Sequence, residues 1–266
     1  MTRDAPVVVV RGDGDADAAD AVADAVAAAG GVVRRDAGNG TGRDPHDRPA
    51  GAGSPTERTG AGARPDADAL FAVGEDALLS LAAADVSTPI LPVDCAVGRQ
   101  SVPPERVGEA VRRLRAGEGR VVSHPALSVA VDGERAGTAL ADVTLMTDAP
   151  ARISEYAIST PEERVDSFRA DGVVVATPLG STGYARAAGG PTLAPDTGVV
   201  AVPIAPYTTL PDSWVFRLPV VLSVERDEAS VSLIVDAEER RPVPPHAPVE
   251  LSVDGHLPFL RLGDDS

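Results

Sequence analysis

Two patterns of apolar and polar positions divide the chain. In the first, Pro6 to Val10 is a short run of buried-strand type. RGDGDADAADAVADAVAAAGG then reads as a glycine turn, an Asp-rich helix start and an Ala/Val helix that stops at Gly30-Gly31. Gly12 and Gly14 lack the third glycine of a dinucleotide fingerprint, so a plain strand-to-helix turn is expected there. Val32-Val33 opens a second strand. Asp36 to Asp66 has no hydrophobic periodicity and reads as a flexible or disordered loop without chemistry. Order returns at Ala69 to Val73, which runs through Gly74-Glu75-Asp76 into a helix over Ala77 to Ala84. Ser87 to Val93 predicts a strand, and Pro104 to Ala116 an amphipathic, Arg-bearing helix. Alternating strands and helices imply a parallel sheet with helices on both faces, a Rossmann-like α/β domain over residues 1–118.

From about Arg120 the helical period fades. Short Val-rich segments separated by turn residues take its place, among them Leu127 to Val131, Ala139 to Leu145, Val173 to Ala176, Val199 to Ile204 and Val231 to Val235. These predict an antiparallel β-sandwich over residues 119–266, with the boundary near Gly117 to Val121.

Composition sharpens this picture. Aromatics make up 3% of 266 residues against 43% hydrophobic, so the cores must be Val, Leu, Ile and Ala. The 24 basic residues are all arginine and face 40 acids, for a net charge of -16. Acids spread along the whole chain read as adaptation to a halophilic cytoplasm, and they disfavour nucleic acid and anionic membranes as partners. Without lysine there is no P-loop lysine, Schiff base or lysine nucleophile, so any phosphate must be held by backbone N–H groups, arginine or metal. Cys95 stands alone and reads as a small buried hydrophobe. His46, His124, His246 and His256 have no metal-ligand spacing and read as surface or loop residues. No apolar stretch approaches the ~20 residues of a membrane span, and no secretory pattern opens the chain.

The chemistry concentrates in DGVVVATPLGSTGYARAAGGP, Asp171 to Pro191. A strand opening into Thr177, Gly180, Ser181, Thr182 and Gly183 offers N–H and hydroxyl donors in a concave turn. Tyr184 adds a flat face with a polar tip. Such a turn can hold a nucleotide without lysine.

This stretch resembles the NAD kinase signature, in which DG and a hydrophobic strand lead to TPTGSTAY and a downstream GGP. Val202-Pro203-Ile204-Ala205-Pro206 is similar to the family's PI-x-P stretch, and Ala139-Leu140-Ala141-Asp142 stands where the family has ALNE. The resemblance implies an N-terminal α/β domain, a β domain, a nucleotide site in the cleft between them, and a homodimer or homotetramer. It implies phosphoryl transfer from Mg-ATP, or from polyphosphate, to the 2′-hydroxyl of the NAD adenosine ribose. By the same resemblance Asp171 receives the nicotinamide-ribose side, and Thr182 and Tyr184 contact the adenosine part. Gly183 fills a small-residue position, and Gly180 allows close backbone approach.

The family's GGDGT turn, whose aspartate orients or deprotonates the 2′-hydroxyl, reads Val73-Gly74-Glu75-Asp76-Ala77 here. Only Gly74 keeps register, and Glu75 with Asp76 become the candidate catalytic carboxylates. Ala141-Asp142 replaces the Asn-Glu pair, removing the amide that would hold the ribose, and Leu179 replaces a polar residue. Two readings follow, a kinase with weakened transfer and a catalytically silent NAD(P)-binding paralogue. A related lipid kinase is disfavoured by TPLGSTGY.

Overall fold

The computed structural model describes residues 4–13, 15–36, 67–95, 101–149, 152–209, 211–227 and 229–262. Apart from Asp36, the loop expected at Asp36 to Asp66 lies outside them, as does Gly14.

Strand β1 (Val7–Gly12) begins with four consecutive valines, β-branched residues suited to a strand paired on both sides. It pairs in parallel with β2 (Val32–Arg35) and with β3 (Ala69–Val73), and β3 pairs in parallel with β4 (Ile90–Val93). Helix α1 (Ala16–Ala28) is started by the Asp15 side chain, which accepts from the Ala18 N–H at 2.9 Å. It buries Ala19, Val22, Ala23 and Val26, one helical face. Helix α3 (Val107–Ala116) follows a 3-10 turn at Pro104–Arg106, ends at left-handed Gly117, and joins α1 on the same side of the sheet. On the other side lies α2 (Glu75–Leu79), continued by a 3-10 turn at Ser80–Ala83 where a single helix to Ala84 was expected.

The second half supplies β5 (Gly119–Val131), β6 (Glu134–Ala139), β7 (Asp142–Thr147), β8 (Ser154–Ser159), β9 (Arg164–Ala170) and β10 (Gly172–Ala176). After α4 (Tyr184–Ala187) come β11 (Val199–Ile204), β12 (Trp214–Phe216), β13 (Val220–Arg226), β14 (Val231–Val235), β15 (Glu238–Pro242) and β16 (Val249–Leu262). Among the described residues they form two sheets. One has six antiparallel strands in the order β12-β11-β10-β7-β14-β15. The other is mixed and has ten: β2-β1-β3-β4 continue through β16 into β13, β8 and β9, with β5 also paired to β16 and β6 paired to β5. The α/β layer and the antiparallel sandwich are therefore both present and continuous, joined where Phe259 of β16 pairs in parallel with Ile90.

The sandwich core contains Leu127, Val129, Leu145, Tyr156, Ile158, Val173, Leu222 and Leu233. Each such side chain contributes about 1.5–3 kcal/mol on burial. His124 departs from its expected surface place. It lies buried in β5, its ring 5.1 Å from that of Phe259, with Nε2 donating to the Leu140 carbonyl at 3.1 Å. Burial holds it neutral by lowering its pKa to about 4. Cys95 is partly buried, its thiol on the Gly74 carbonyl at 3.3 Å, and burial pushes it up to about 12. That thiol is protonated and inert.

Candidate functional site

The expected strand Ala139 to Leu145 is broken at Leu140-Ala141, and the break builds the site. One carboxylate holds it open. Asp236 accepts from the Leu140, Ala141 and Asp142 N–H groups at 2.7, 2.8 and 3.0 Å, and its own N–H donates to the Asp142 carbonyl at 3.0 Å. Asp236 and Ala237 form the two-residue turn between β14 and β15, with φ of 48° and 66°. Such a doubly left-handed turn matches hairpin twist and is tolerated by Asp.

The loop after β10 is fastened to the same break. The Thr177 N–H donates to the Ala141 carbonyl at 2.9 Å, and its hydroxyl to that of Leu140 at 2.8 Å. Ser181 Oγ donates to the Pro178 carbonyl at 2.8 Å and accepts from the Leu193 N–H at 2.9 Å. A Cβ on Gly180 would lie 2.2 Å from the Ala141 carbonyl oxygen, so only glycine permits this approach. Leu179 is fully buried in one apolar cluster with Leu78 of α2 and Leu81, which ties the loop to the α/β half. Its replacement of a polar residue thereby has a packing reason.

Between these pieces lies a cavity of about 300 Å³ lined by Glu75, Asp142, Thr144, Gly180, Gly183 and Tyr184, together with Ala141 and Asp236. Glu75 reaches it from the turn after β3, where Gly74 has φ +83°. This is the carboxyl end of the parallel strands, where open α/β sheets place ligands. A second cavity of about 1090 Å³ adjoins it and shares Glu75, Leu79, Asp236 and Ala237.

The electrostatics are those of crowded acids. Burial raises Asp142 to about 7, helped by the charges of Asp236 and Glu75. Asp236 is also raised, because burial outweighs its three backbone donors. Burial raises the Tyr184 hydroxyl, with Asp142 and then Asp171 adding to it. Thr144 is 2% exposed, and its Oγ1 has no hydrogen-bond partner among the described residues.

Of the residues singled out in the sequence, Glu75, Asp142, Gly180, Gly183 and Tyr184 come together in the smaller cavity, and Asp76 lines the larger. Thr177 and Ser181 are fully buried; the Thr177 hydroxyl is spent on the Leu140 carbonyl at the break and that of Ser181 on the Pro178 carbonyl of its own loop. The Thr182 hydroxyl points to the Leu179 carbonyl at 3.4 Å, outside the lining. Asp171 precedes β10, at the opposite end from Thr177. Asp236 and Thr144 escaped the sequence reading. The available signals were an acid between two strand-like runs and a lone hydroxyl in an apolar strand. Among the described residues no group of three or more His, Cys, Asp or Glu is disposed to hold a metal ion, and no helix is long and apolar enough to cross a membrane.

A parallel α/β layer sharing a sheet with an antiparallel sandwich, with a cleft where Gly74-Glu75 meets the β10 loop, defines a class of two-part α/β and β proteins. Residues 140–256 match the family model described as the ATP-NAD kinase C-terminal domain. The chain is 37% identical over 112 residues to the NAD kinase of Methanosarcina barkeri, covering 40% of this chain and 41% of that protein. It is 32% identical over 199 residues to that of Chlorobium phaeovibrioides, covering 71% and 64%. A crystal structure of an NAD kinase from Archaeoglobus fulgidus in complex with ATP superposes with a TM-score of 0.66 at 20% identity, over 97% of this chain and 94% of that one. The chain is a member of the NAD kinase family. It spans about half the length of relatives such as those of Methanosarcina acetivorans and Methanopyrus kandleri, 52% in each case.

Proposed function

We propose that this protein phosphorylates the 2′-hydroxyl of the NAD adenosine ribose to give NADP, and does so slowly. The observation that carries the reading is the convergence of Glu75, Asp142, Gly180, Gly183 and Tyr184 on one small cavity in a chain of this family. The Tyr184 ring, 42% exposed, offers a face for the adenosine part. Gly180 and Gly183 leave room for backbone-close binding. Asp142, poised near neutrality, accepts a ribose hydroxyl, and Glu75 takes the 2′-proton as the phosphoryl group arrives. Asp171 and Thr182 lie outside the cavity and serve the remainder of the dinucleotide.

The donor is Mg-ATP or polyphosphate, with the divalent ion entering as part of that substrate. Slowness follows from Asp76, a second charge where the family has glycine, and from Ala141, which has no amide. The acidic, lysine-free composition and the family together support a homodimer or homotetramer in a high-salt cytoplasm.

Calorimetry in high-salt buffer with NAD, beside an assay for NADP formation, tests the reading. We expect NAD binding that Tyr184→Ala abolishes, and turnover below the ~1–100 s⁻¹ usual for kinases. Unchanged affinity in Tyr184→Ala would overturn the site assignment. NAD binding without NADP formation from either donor would make the chain a silent NAD(P)-binding paralogue.

A further inference from the structure

We infer that the small cavity is selective against the product of its own reaction: it holds a free ribose 2′-hydroxyl and expels a ribose 2′-phosphate, with Asp142 and Glu75 as the discriminating residues. The inference rests on the kinase reading and deepens it, by naming which of the two dinucleotides the pocket keeps.

The first observation is an imbalance of charge. Glu75, Asp142 and Asp236 line the cavity, and no arginine or histidine does. The chain has no lysine to add. Nor does the adjoining cavity lend a spare cation. There Arg135 spends its Nη groups on Asp254, Thr138 and Ser128, and Arg240 pairs with Glu238 at 2.7 Å, while Asp76 adds another acid to the lining.

The second is an imbalance of hydrogen-bonding groups. Where side-chain cations are missing, a phosphate is held by free backbone N–H groups, and here those donors are committed. The Leu140, Ala141 and Asp142 N–H groups go to Asp236. On the facing loop the Gly180 N–H points to the Thr177 hydroxyl at 3.4 Å, that of Ser181 donates to the Thr177 carbonyl at 2.8 Å, and that of Gly183 to the Gly180 carbonyl at 2.9 Å. The acids therefore present acceptor oxygens to the cavity with no donor beside them. A ribose hydroxyl brings the proton such an acceptor needs, whereas an ionised phosphate brings only further acceptors.

The third observation shows what the pocket does want. Thr144 lines it, 2% exposed, with a hydroxyl that has no partner among the described residues, and Tyr184 presents an exposed ring with a hydroxyl at its tip. Both suit the uncharged face and edges of a nucleoside. Phosphorylation then places a charge of about −1.5 to −2 against the two carboxylates. In a partly enclosed site salt screens that repulsion poorly. The transfer thus creates the charge that clears the pocket.

The test is calorimetry on the full chain in high-salt buffer with EDTA at pH 8. That is above the value of about 7 to which burial raises Asp142, so the acid and the phosphate are both ionised and no divalent ion bridges them. NAD and NADP are titrated, together with 5′-AMP and 2′-AMP, which carry the same groups and differ only in where the phosphate sits. We expect NADP to bind at least about 10-fold more weakly than NAD, and 2′-AMP at least about 10-fold more weakly than 5′-AMP, the scale of a like-charge contact. Asp142→Asn and Glu75→Gln should each narrow both ratios by about 3-fold or more. Glu75 is exposed, so its variant keeps the fold. Glu105→Gln, which removes an exposed acid outside the cavity, should leave both ratios within about 2-fold of wild type. NADP binding as tightly as NAD, 2′-AMP binding as tightly as 5′-AMP, or ratios that neither cavity variant alters would overturn the inference while NAD binding leaves the kinase reading standing. A protein that binds neither NAD nor 5′-AMP would sink the kinase reading, and this inference with it.

Discussion

The two walls of the small cavity are built on different principles. On the sandwich side, Thr177 to Gly183 is nearly all uncharged, mostly buried, and fastened by backbone and hydroxyl hydrogen bonds to the break at Leu140-Ala141. On the α/β side, Gly74-Glu75-Asp76 is a turn with two exposed acids, anchored by the buried Ala77 and Leu78 beneath it and by the Gly74 N–H, which donates to the Val93 carbonyl at 2.9 Å. A wall that binds by shape must be rigid, because its donors are backbone groups placed by packing. A wall that acts through a carboxylate needs reach, and it tolerates drift in everything except the reacting atom. Thr177 to Gly183 accordingly reads close to the family's TPTGSTA pattern, whereas Val73-Gly74-Glu75-Asp76-Ala77 departs from GGDGT.

The comparison predicts its own reversal. Changing Glu75-Asp76 to Asp-Gly together with Ala141→Asn restores the shorter carboxylate, a glycine facing the phosphate path and an amide beside the ribose. Each is worth about 1–3 kcal/mol, roughly 10- to 100-fold in rate, since a positioned hydrogen bond or an ångström of placement carries that much. NADP formation should rise by at least 100-fold with the affinity for NAD little changed. A wild-type rate already at ~1 s⁻¹ or more would refute the idea that the α/β wall limits catalysis. In that case Glu75→Gln should abolish activity, which would mark Glu75 as the working base.

Acidity offers a second, smaller contrast. Asp142 titrates at about 7 in the folded protein, well above the ordinary carboxylate value, so the fold retains a proton that the unfolded chain has released. The stability tied to that proton is full below about pH 4 and lost as pH rises through 7. His124 runs the other way. Its pKa of about 4 lies below the usual histidine value, so its contribution is full above about pH 6.5 and lost as pH falls toward 4. Each limb should span about 2–4 kcal/mol. Melting at fixed high salt between pH 4 and 9 should show Asp142→Asn flattening the alkaline limb and His124→Gln the acid one. Wild-type profiles in both variants would contradict the assignment of these groups.

Much of the architecture is legible in the chain because periodicity survives local noise. The Val runs of β1, β10 and β14, the alternation through α1 and α3, and the loss of helical period after Arg120 each report an element directly. What escapes is set by long-range contact. Nothing local marks Leu140-Ala141 as a break, because an acid 94 residues or more away holds it open. Nothing in the sequence around His124 marks a buried ring, since its partner is the Leu140 carbonyl at that same break. The join of the parallel strands to β16 within the ten-stranded sheet has a single paired register, Phe259 with Ile90, which composition does not encode. The loop after β10 stood out by its glycines and hydroxyls, but the Thr177 hydroxyl is spent on the Leu140 carbonyl and that of Ser181 on Pro178.

Thr144 gives the finest test of the binding wall. It stands between Val143 and Leu145, which face the sandwich core, while Thr144 faces the cavity side of the same strand. Across the sheet it pairs with Val174 and Ile234, neither of which offers a hydrogen bond. Its hydroxyl is thus shut away among apolar neighbours without a partner, a state that costs about 1–3 kcal/mol. Valine has nearly the same shape and removes the unpaired group, so Thr144→Val should raise stability by about 1 kcal/mol in ligand-free protein. If the hydroxyl is there for the dinucleotide, a rotation about χ1 brings it to the cavity, and the variant should bind NAD about 5- to 10-fold more weakly, the loss of one neutral hydrogen bond. Denaturant melts with and without NAD read both quantities in one series. A stabilised variant with unchanged NAD affinity would assign Thr144 to the sheet alone and leave Tyr184, Gly180 and Gly183 as the binding wall.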